Sequence, residues 1–140
     1  MFDLSHYVNR DFSNFDILIV DDTPMNVLLL QKMLQKLKFT LDTAADGESA
    51  LDLIRQRSKE GRPYSLILLD LRMPGITGFD VLMSMKNIPG AEQSPVVVLS
   101  GMTDNVSINE AIKLGAKSYL QKPIIMQNLF ETVFSLLGIE

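Results

Sequence analysis

The sequence contains no cysteine, which excludes a disulfide framework, a thiolate nucleophile and any zinc site built on sulfur. Its one histidine, His6, lies in an N-terminal stretch without sustained periodicity, so the body of the chain has no imidazole for a catalytic triad. Long apolar runs are also missing. Val27 to Leu30 and Leu66 to Leu69 are typical of what is present, far short of the roughly 18 residues a membrane helix needs. The first residues carry an acid at Asp3 and lack a basic end followed by an apolar core, so no secretory signal is expected there. Net charge is −4, with Lys and Arg scattered rather than massed, so no nucleic-acid groove is expected within the chain. No glycine-rich phosphate loop follows the first apolar run, and Leu99-Ser100-Gly101 is not a nucleophile elbow. The simplest setting for such a cysteine-free chain is cytoplasmic.

What is present is an alternation. At 140 residues the chain fits one domain. Residues 1–15 are expected to be an N-terminal extension or the end of a linker, with a short docked helix as the alternative, and residues 16–140 to form the domain. Ile17 to Val20 is a β-branched run ending at Asp21-Asp22, as a buried first strand would. Thr23-Pro24 offers an N-cap and a first-turn proline to a helix with Val27, Leu30, Leu34 and Leu37 at helical spacing. A weaker strand over residues 40–44 follows, and Asp46-Gly47 opens a second helix with Ala50, Leu51 and Ile54 on its apolar side. Leu66 to Leu69 then runs straight into Asp70 and a turn rich in Pro and Gly. Thr77-Gly78-Phe79-Asp80 has capping-box spacing, for a third helix closed by Pro89-Gly90. Residues 95–99 make a fourth strand ending at Ser100. A fourth helix from Asp104 or Asn105 to Gly115, a fifth strand over 117–121, and a helix from Met126 to about Leu137 complete the chain. The last helix shows Leu129, Val133, Leu136 and Leu137 at helical spacing. Five strands alternating with five helices predict an α/β fold: a doubly wound five-stranded parallel sheet with helices on both faces. The flavodoxin-like order 2-1-3-4-5 is the natural candidate.

Ligands bind such sheets outside the carboxyl ends of the strands. The predicted ends carry Asp21 and Asp22, then Asp70, Ser100 and Lys122. Carboxylates gathered there raise one another's pKa unless a cation compensates them. Oxygen donors without His or Cys favour magnesium, with manganese as the alternative, over zinc. Aspartate can also attack phosphorus, a transfer that needs in-line positioning and neutralisation of the equatorial oxygens. A metal, the Lys122 ammonium and the Ser100 hydroxyl could each serve one oxygen. A lysine at about 4 Å is worth on the order of 4 kcal/mol at an effective dielectric near 20.

These residues carry a family resemblance. Ile-Val-Asp21-Asp22, Leu-Leu-Asp70-Leu-Arg-Met-Pro-Gly with Gly78 following, Leu-Ser100-Gly, and Tyr119-Leu-Gln-Lys122-Pro123 stand in the order and spacing of a known module. From about Phe15 to Gly138 the chain resembles the receiver domain of bacterial two-component response regulators. The resemblance implies that Asp70 is the phosphoacceptor and that Asp21 and Asp22 hold magnesium with Asp70 and the backbone carbonyl of Arg72. Ser100 and Tyr119 would be the switch residues, Lys122 the phosphate-contacting lysine, and Lys122-Pro123 a cis bond. Arg72 and Met102 would fall where the family tunes phosphoryl lifetime. Asn26, four residues past Asp22, is closer to receivers attached to hybrid sensor kinases. The implied partners are a histidine kinase or histidine phosphotransfer protein, and a downstream protein or a missing output domain. A homodimer would pair through helix four, strand five and helix five. The implied activity is that of a phosphorylation-activated switch, not an enzyme acting on other substrates. Two other readings stay open from sequence: an Asp-nucleophile phosphohydrolase, although Arg72 stands where that class wants a second Asp, and a receiver-like binding module that no longer cycles phosphate.

Overall fold

The computed structural model describes residues 3–101 and 105–140. Five strands, β1 (Asp16–Val20), β2 (Thr40–Ala44), β3 (Leu66–Asp70), β4 (Val96–Ser100) and β5 (Ser118–Gln121), alternate with α1 (Pro24–Gln35), α2 (Gly47–Lys59), α3 (Gly78–Met85), α4 (Asn105–Lys113) and α5 (Met126–Leu137). All four strand pairings are parallel, in the order β2-β1-β3-β4-β5. The chain therefore reverses its direction of travel across the sheet between β1 and β3, which places a crevice at the carboxyl ends of those two strands.

Period-two alternation splits the strands between two apolar layers. Leu18, Val20, Ile67, Leu69, Val96 and Val98 pack with Ala50, Leu51 and Ile54 of α2, Val81, Leu82 and Met85 of α3, and Ala111 of α4. Ile17, Ile19, Leu66, Leu68, Val97, Leu99 and Leu120 pack with Leu30 and Leu34 of α1 and with α5. Burial on both faces is why β1, β3 and β4 are continuous apolar runs rather than alternating ones.

Several local expectations change in detail. Thr23 stands at the N-cap of α1 with Pro24 at the first helical position, but its hydroxyl makes no capping bond. Its backbone N–H instead donates to Asp21 Oδ1 at 3.0 Å. The α3 capping box forms in full, yet the helix ends at Met85, before Pro89-Gly90. The next three amides donate to carbonyls three residues back, which tightens the last turn into 3₁₀ geometry. On α5 the buried residues are Leu129, Phe130, Val133 and Phe134. Leu136 and Leu137 are only partly buried, because the core-facing stripe is displaced toward the two phenylalanines.

The N-terminal segment packs against this second layer. Leu4–His6 form one 3₁₀ turn, and Phe12 is buried, stacked on Phe39 with centroids 5.3 Å apart and tilted against Phe134 at 5.6 Å. Tyr7 meets the edge of Phe134 at 4.6 Å. Arg10 lies over Phe12 and donates to the carbonyl of Glu140 at 3.0 Å. Thr40 fastens the strap to β2, its hydroxyl donating to Ser13 O and its amide to Phe15 O.

At the amino-terminal pole of the sheet, buried Arg57 collects several partners that the sequence reading did not single out. Its guanidinium pairs with Asp16 and lies 3.7 Å from Asp42, Nε donates to Arg62 O at 2.6 Å, and its plane covers Tyr64 at 4.3 Å. Tyr64 donates to Asp42 Oδ2 at 2.7 Å, and burial, reinforced by that bond, pushes its phenol well above the usual range.

Phe12→Ala should cost roughly 3–5 kcal/mol, the range for emptying a packed aromatic site. A drop in the urea midpoint with unchanged slope checks this; a midpoint equal to wild type would show that the segment adds nothing to the fold.

Candidate functional site

Register decides which strand-end residues meet. Val20 pairs with Leu69, so the residues that follow, Asp21 and Asp70, emerge side by side. Ser100 pairs with Gln121, and the Lys122 amide donates to Ser100 O at 2.7 Å, which fixes where the lysine leaves the sheet. The Lys122-Pro123 bond is cis.

The side chains converge. One carboxylate oxygen from each of Asp21, Asp22 and Asp70 lies within 4.8 Å of the others. Lys122 Nζ sits 3.1 Å from Asp21 Oδ2 and 3.4 Å from Asp70 Oδ2. Asp21 and Asp70 are 1% and 3% exposed, and Asp22 is the most open of the three. Three carboxylates against one ammonium leave two negative charges in excess, which a single divalent cation would balance. Asp21 Oδ1 is satisfied by the Thr23 amide. Asp21 Oδ2 is buried and accepts no hydrogen bond; its contact with Lys122 is one of charge alone. A buried anionic oxygen that accepts no hydrogen bond, in a group of hard oxygen donors, fits a magnesium-type ion.

Asp70 Oδ1 accepts the Arg72 amide at 3.2 Å. Removal from water raises the Asp70 carboxyl to about 6, against the lowering effects of Lys122 and the Arg72 amide and with a further push from Asp21. Gly78 holds the chain close here. A Cβ at that position would stand 2.5 Å from Asp70 O and 2.7 Å from Leu71 Cα, so no side chain fits.

Ser100 is buried at the end of β4. Arg72 is exposed. Tyr119 is on the edge strand β5 and 48% exposed. Met102 lies outside the described residues. Beside the carboxylates and Lys122 are exposed apolar residues whose setting the sequence reading did not anticipate: Leu28 and Leu29 on α1 and Ile125 at the start of α5, with Met25 and Met126 exposed on the same two helices. The signal was available in Val27 to Leu30, since four successive apolar residues cannot all face one side of a helix.

Comparison with known proteins agrees with this geometry. Residues 17–134 match the model of the response regulator receiver domain. The chain is 34% identical over 122 residues to the probable methanogenesis regulatory protein FilR2 of Methanothrix harundinacea, covering 85% of this chain and 79% of that one. It is 35% identical over 120 residues to the response regulator PleD of Caulobacter vibrioides, covering 86% of this chain but only 25% of PleD. Among solved structures, the CheX-CheY-BeF3-Mg2+ complex of Borrelia burgdorferi superposes with a TM-score of 0.79 at 26% identity, covering 87% of this chain and 88% of that one. The strand order, the acidic cluster and the matched span lead to one conclusion: the chain belongs to the response regulator receiver domain family.

Proposed function

We propose that this receiver accepts a phosphoryl group on Asp70 from a phosphohistidine of a kinase or phosphotransfer protein. The observation that carries the reading is the position of Lys122 Nζ against both Asp70 and Asp21 within a group of three carboxylates. An Asp70 oxygen attacks phosphorus, the N–P bond to the donor imidazole breaks, and the imidazole leaves with the electron pair and takes up a proton. Asp21, Asp22, Asp70 and the Arg72 carbonyl would hold magnesium, which supplies charge neutralisation to the transferring oxygens when bound. Lys122 adds a second positive charge on the same side, and the Ser100 hydroxyl, at the neighbouring strand end, is the donor for a phosphoryl oxygen.

The switch requires two conformations that the acyl phosphate favours unequally. We assign the responding face to α4, β5 and α5, where Val106, Ile112 and Tyr119 are exposed. That face is also the proposed surface for a second copy or a downstream partner. The apolar collar of Leu28, Leu29 and Ile125 beside the site is the proposed seat of the phosphodonor. Among the described residues no helix is long and apolar enough to cross a membrane, and we place the reaction in the cytoplasm.

Incubation with magnesium and acetyl phosphate should add the mass of one phosphoryl group to the intact chain, lost with EDTA and absent in Asp70→Ala. An adduct that survives Asp70→Ala would overturn the assignment. The raised Asp70 carboxyl gives a second expectation. Between the ordinary carboxyl value of 3.8 and about 6, the folded chain holds a proton that the unfolded chain has released. In metal-free buffer the Asp70 contribution to stability is therefore greatest below pH 4 and falls as pH rises through that window. Asp70→Asn should melt higher than wild type at pH 7, with the difference shrinking toward pH 4. A difference that does not vary with pH would contradict the raised value.

A further inference from the structure

The β3–α3 loop, residues 71–77, carries the Arg72 carbonyl and follows Asp70 directly. It is anchored at several points. Leu71 and Met73 are buried in the core, Gly78 N donates to Leu71 O at 3.1 Å, and Thr77 is tied into the α3 capping box. One contact comes from a different element. A Cβ built on Gly47, the first residue of α2, would stand 2.6 Å from Ile76 Cγ2, 2.8 Å from Ile76 O and 2.9 Å from Ile76 Cβ. A methyl at the tip of a side chain can rotate away, but a carbonyl oxygen and a Cβ move only with the backbone.

Gly47 is helical and outside the set of left-handed glycines. Its backbone could be built by any residue, and on helix propensity alanine would be preferred. The requirement is therefore for the missing side chain. Nor can α2 yield easily. The Asp46 carboxylate caps it by accepting the Ser49 amide at 2.7 Å, and Ala50, Leu51 and Ile54 fix it in the core.

We propose that Gly47 is a positioning residue for the metal-binding loop: its bare Cα lets Ile76 seat against the start of α2 and thereby sets where the Arg72 carbonyl stands relative to Asp21, Asp22 and Asp70. With Leu71 held at one end and Thr77 at the other, a displacement of Ile76 passes through the backbone to Met73, which shares the apolar cluster that Ile76 packs against and adjoins Arg72. The inference rests on the reading of those groups as a magnesium site. It makes α2, which contributes no ligand, a determinant of ion affinity.

The test is Gly47→Ala in the full chain, followed by amide NMR and titrated with Mg2+ alone. The expected result is a set of shifts in the metal-free spectrum running through residues 72–76, and a loss of magnesium affinity of about ten-fold, the scale of supporting residues around metal ligands. Gly47→Ala with Ile76→Gly, which removes the Cγ2 and Cβ contacts and leaves the one with the Ile76 carbonyl, should recover part of that loss. A folded Gly47→Ala with affinity within about two-fold of wild type, too small for a displaced ligand loop, would overturn the proposal. If Gly47→Ala alone does not fold, a double variant that folds and binds magnesium supports it, and a double variant that also fails to fold overturns it. Failure of the wild-type chain to bind Mg2+ would instead count against the proposed site, while the shifts through 72–76 would still report the positioning contact.

Discussion

Lys122 Nζ lies within 3.4 Å of two nearly buried carboxylates, with a third close by. One ammonium cannot neutralise three acids, so this edge of the sheet carries an electrostatic cost that a proton on Asp70 or a further cation among the oxygens relieves. The fold is arranged to hold that imbalance in place. Asp21 and Asp70 emerge from adjacent doubly buried strands, Ser100 O fixes the departure of Lys122, and Gly78 pins the chain after Asp70. A group kept short of compensation in this way is poised to take a cation and a phosphoryl group together, which is the chemistry of a receiver.

The opposite pole solves the burial of charge differently. Arg57 reaches Asp16, Asp42 and the carbonyl of Arg62, and stacks on Tyr64, whose hydroxyl returns to Asp42. Each group there has a partner, and removing one would leave others buried without compensation. The same domain thus carries a closed polar network at one end of its strands and an open one at the other. Reactivity resides at the open end. The N-terminal strap, which wraps Phe12 and Tyr7 against Phe39 and Phe134, completes the second apolar layer.

Much of this was legible in the sequence, for identifiable reasons. Doubly buried strands leave unbroken apolar runs, so β1, β3 and β4 stood out together with the acids that end β1 and β3 and the serine that ends β4, and the sheet order follows from the alternation and the family pattern. The Thr77–Asp80 capping box is a local signal and formed as expected. Less legible were features made by tertiary contact. Arg57 falls three residues after Ile54, on the apolar side of α2, and only the arrival of Asp16 and Tyr64 explains a cation there. The α5 stripe takes in Phe130 and Phe134, and the strap's aromatics meet it at Phe134. Tyr119 is half-exposed beside buried Leu120 on the edge strand β5. Gly47 looks like an ordinary helix opening until Ile76 is placed beside it.

The account turns on the carboxylates forming one divalent-ion site, and the most direct measurement is calorimetric titration of magnesium into wild type and Asp21→Asn. Asp21 is the residue whose buried Oδ2 lacks a hydrogen bond, so its conversion to a neutral amide removes the most exacting feature of the site while keeping its shape. The account predicts one saturable magnesium per wild-type chain and binding weakened by about ten-fold or more in the variant, since a ligating charge is lost. Equal affinity in the two proteins, or no saturable binding in wild type, would contradict it.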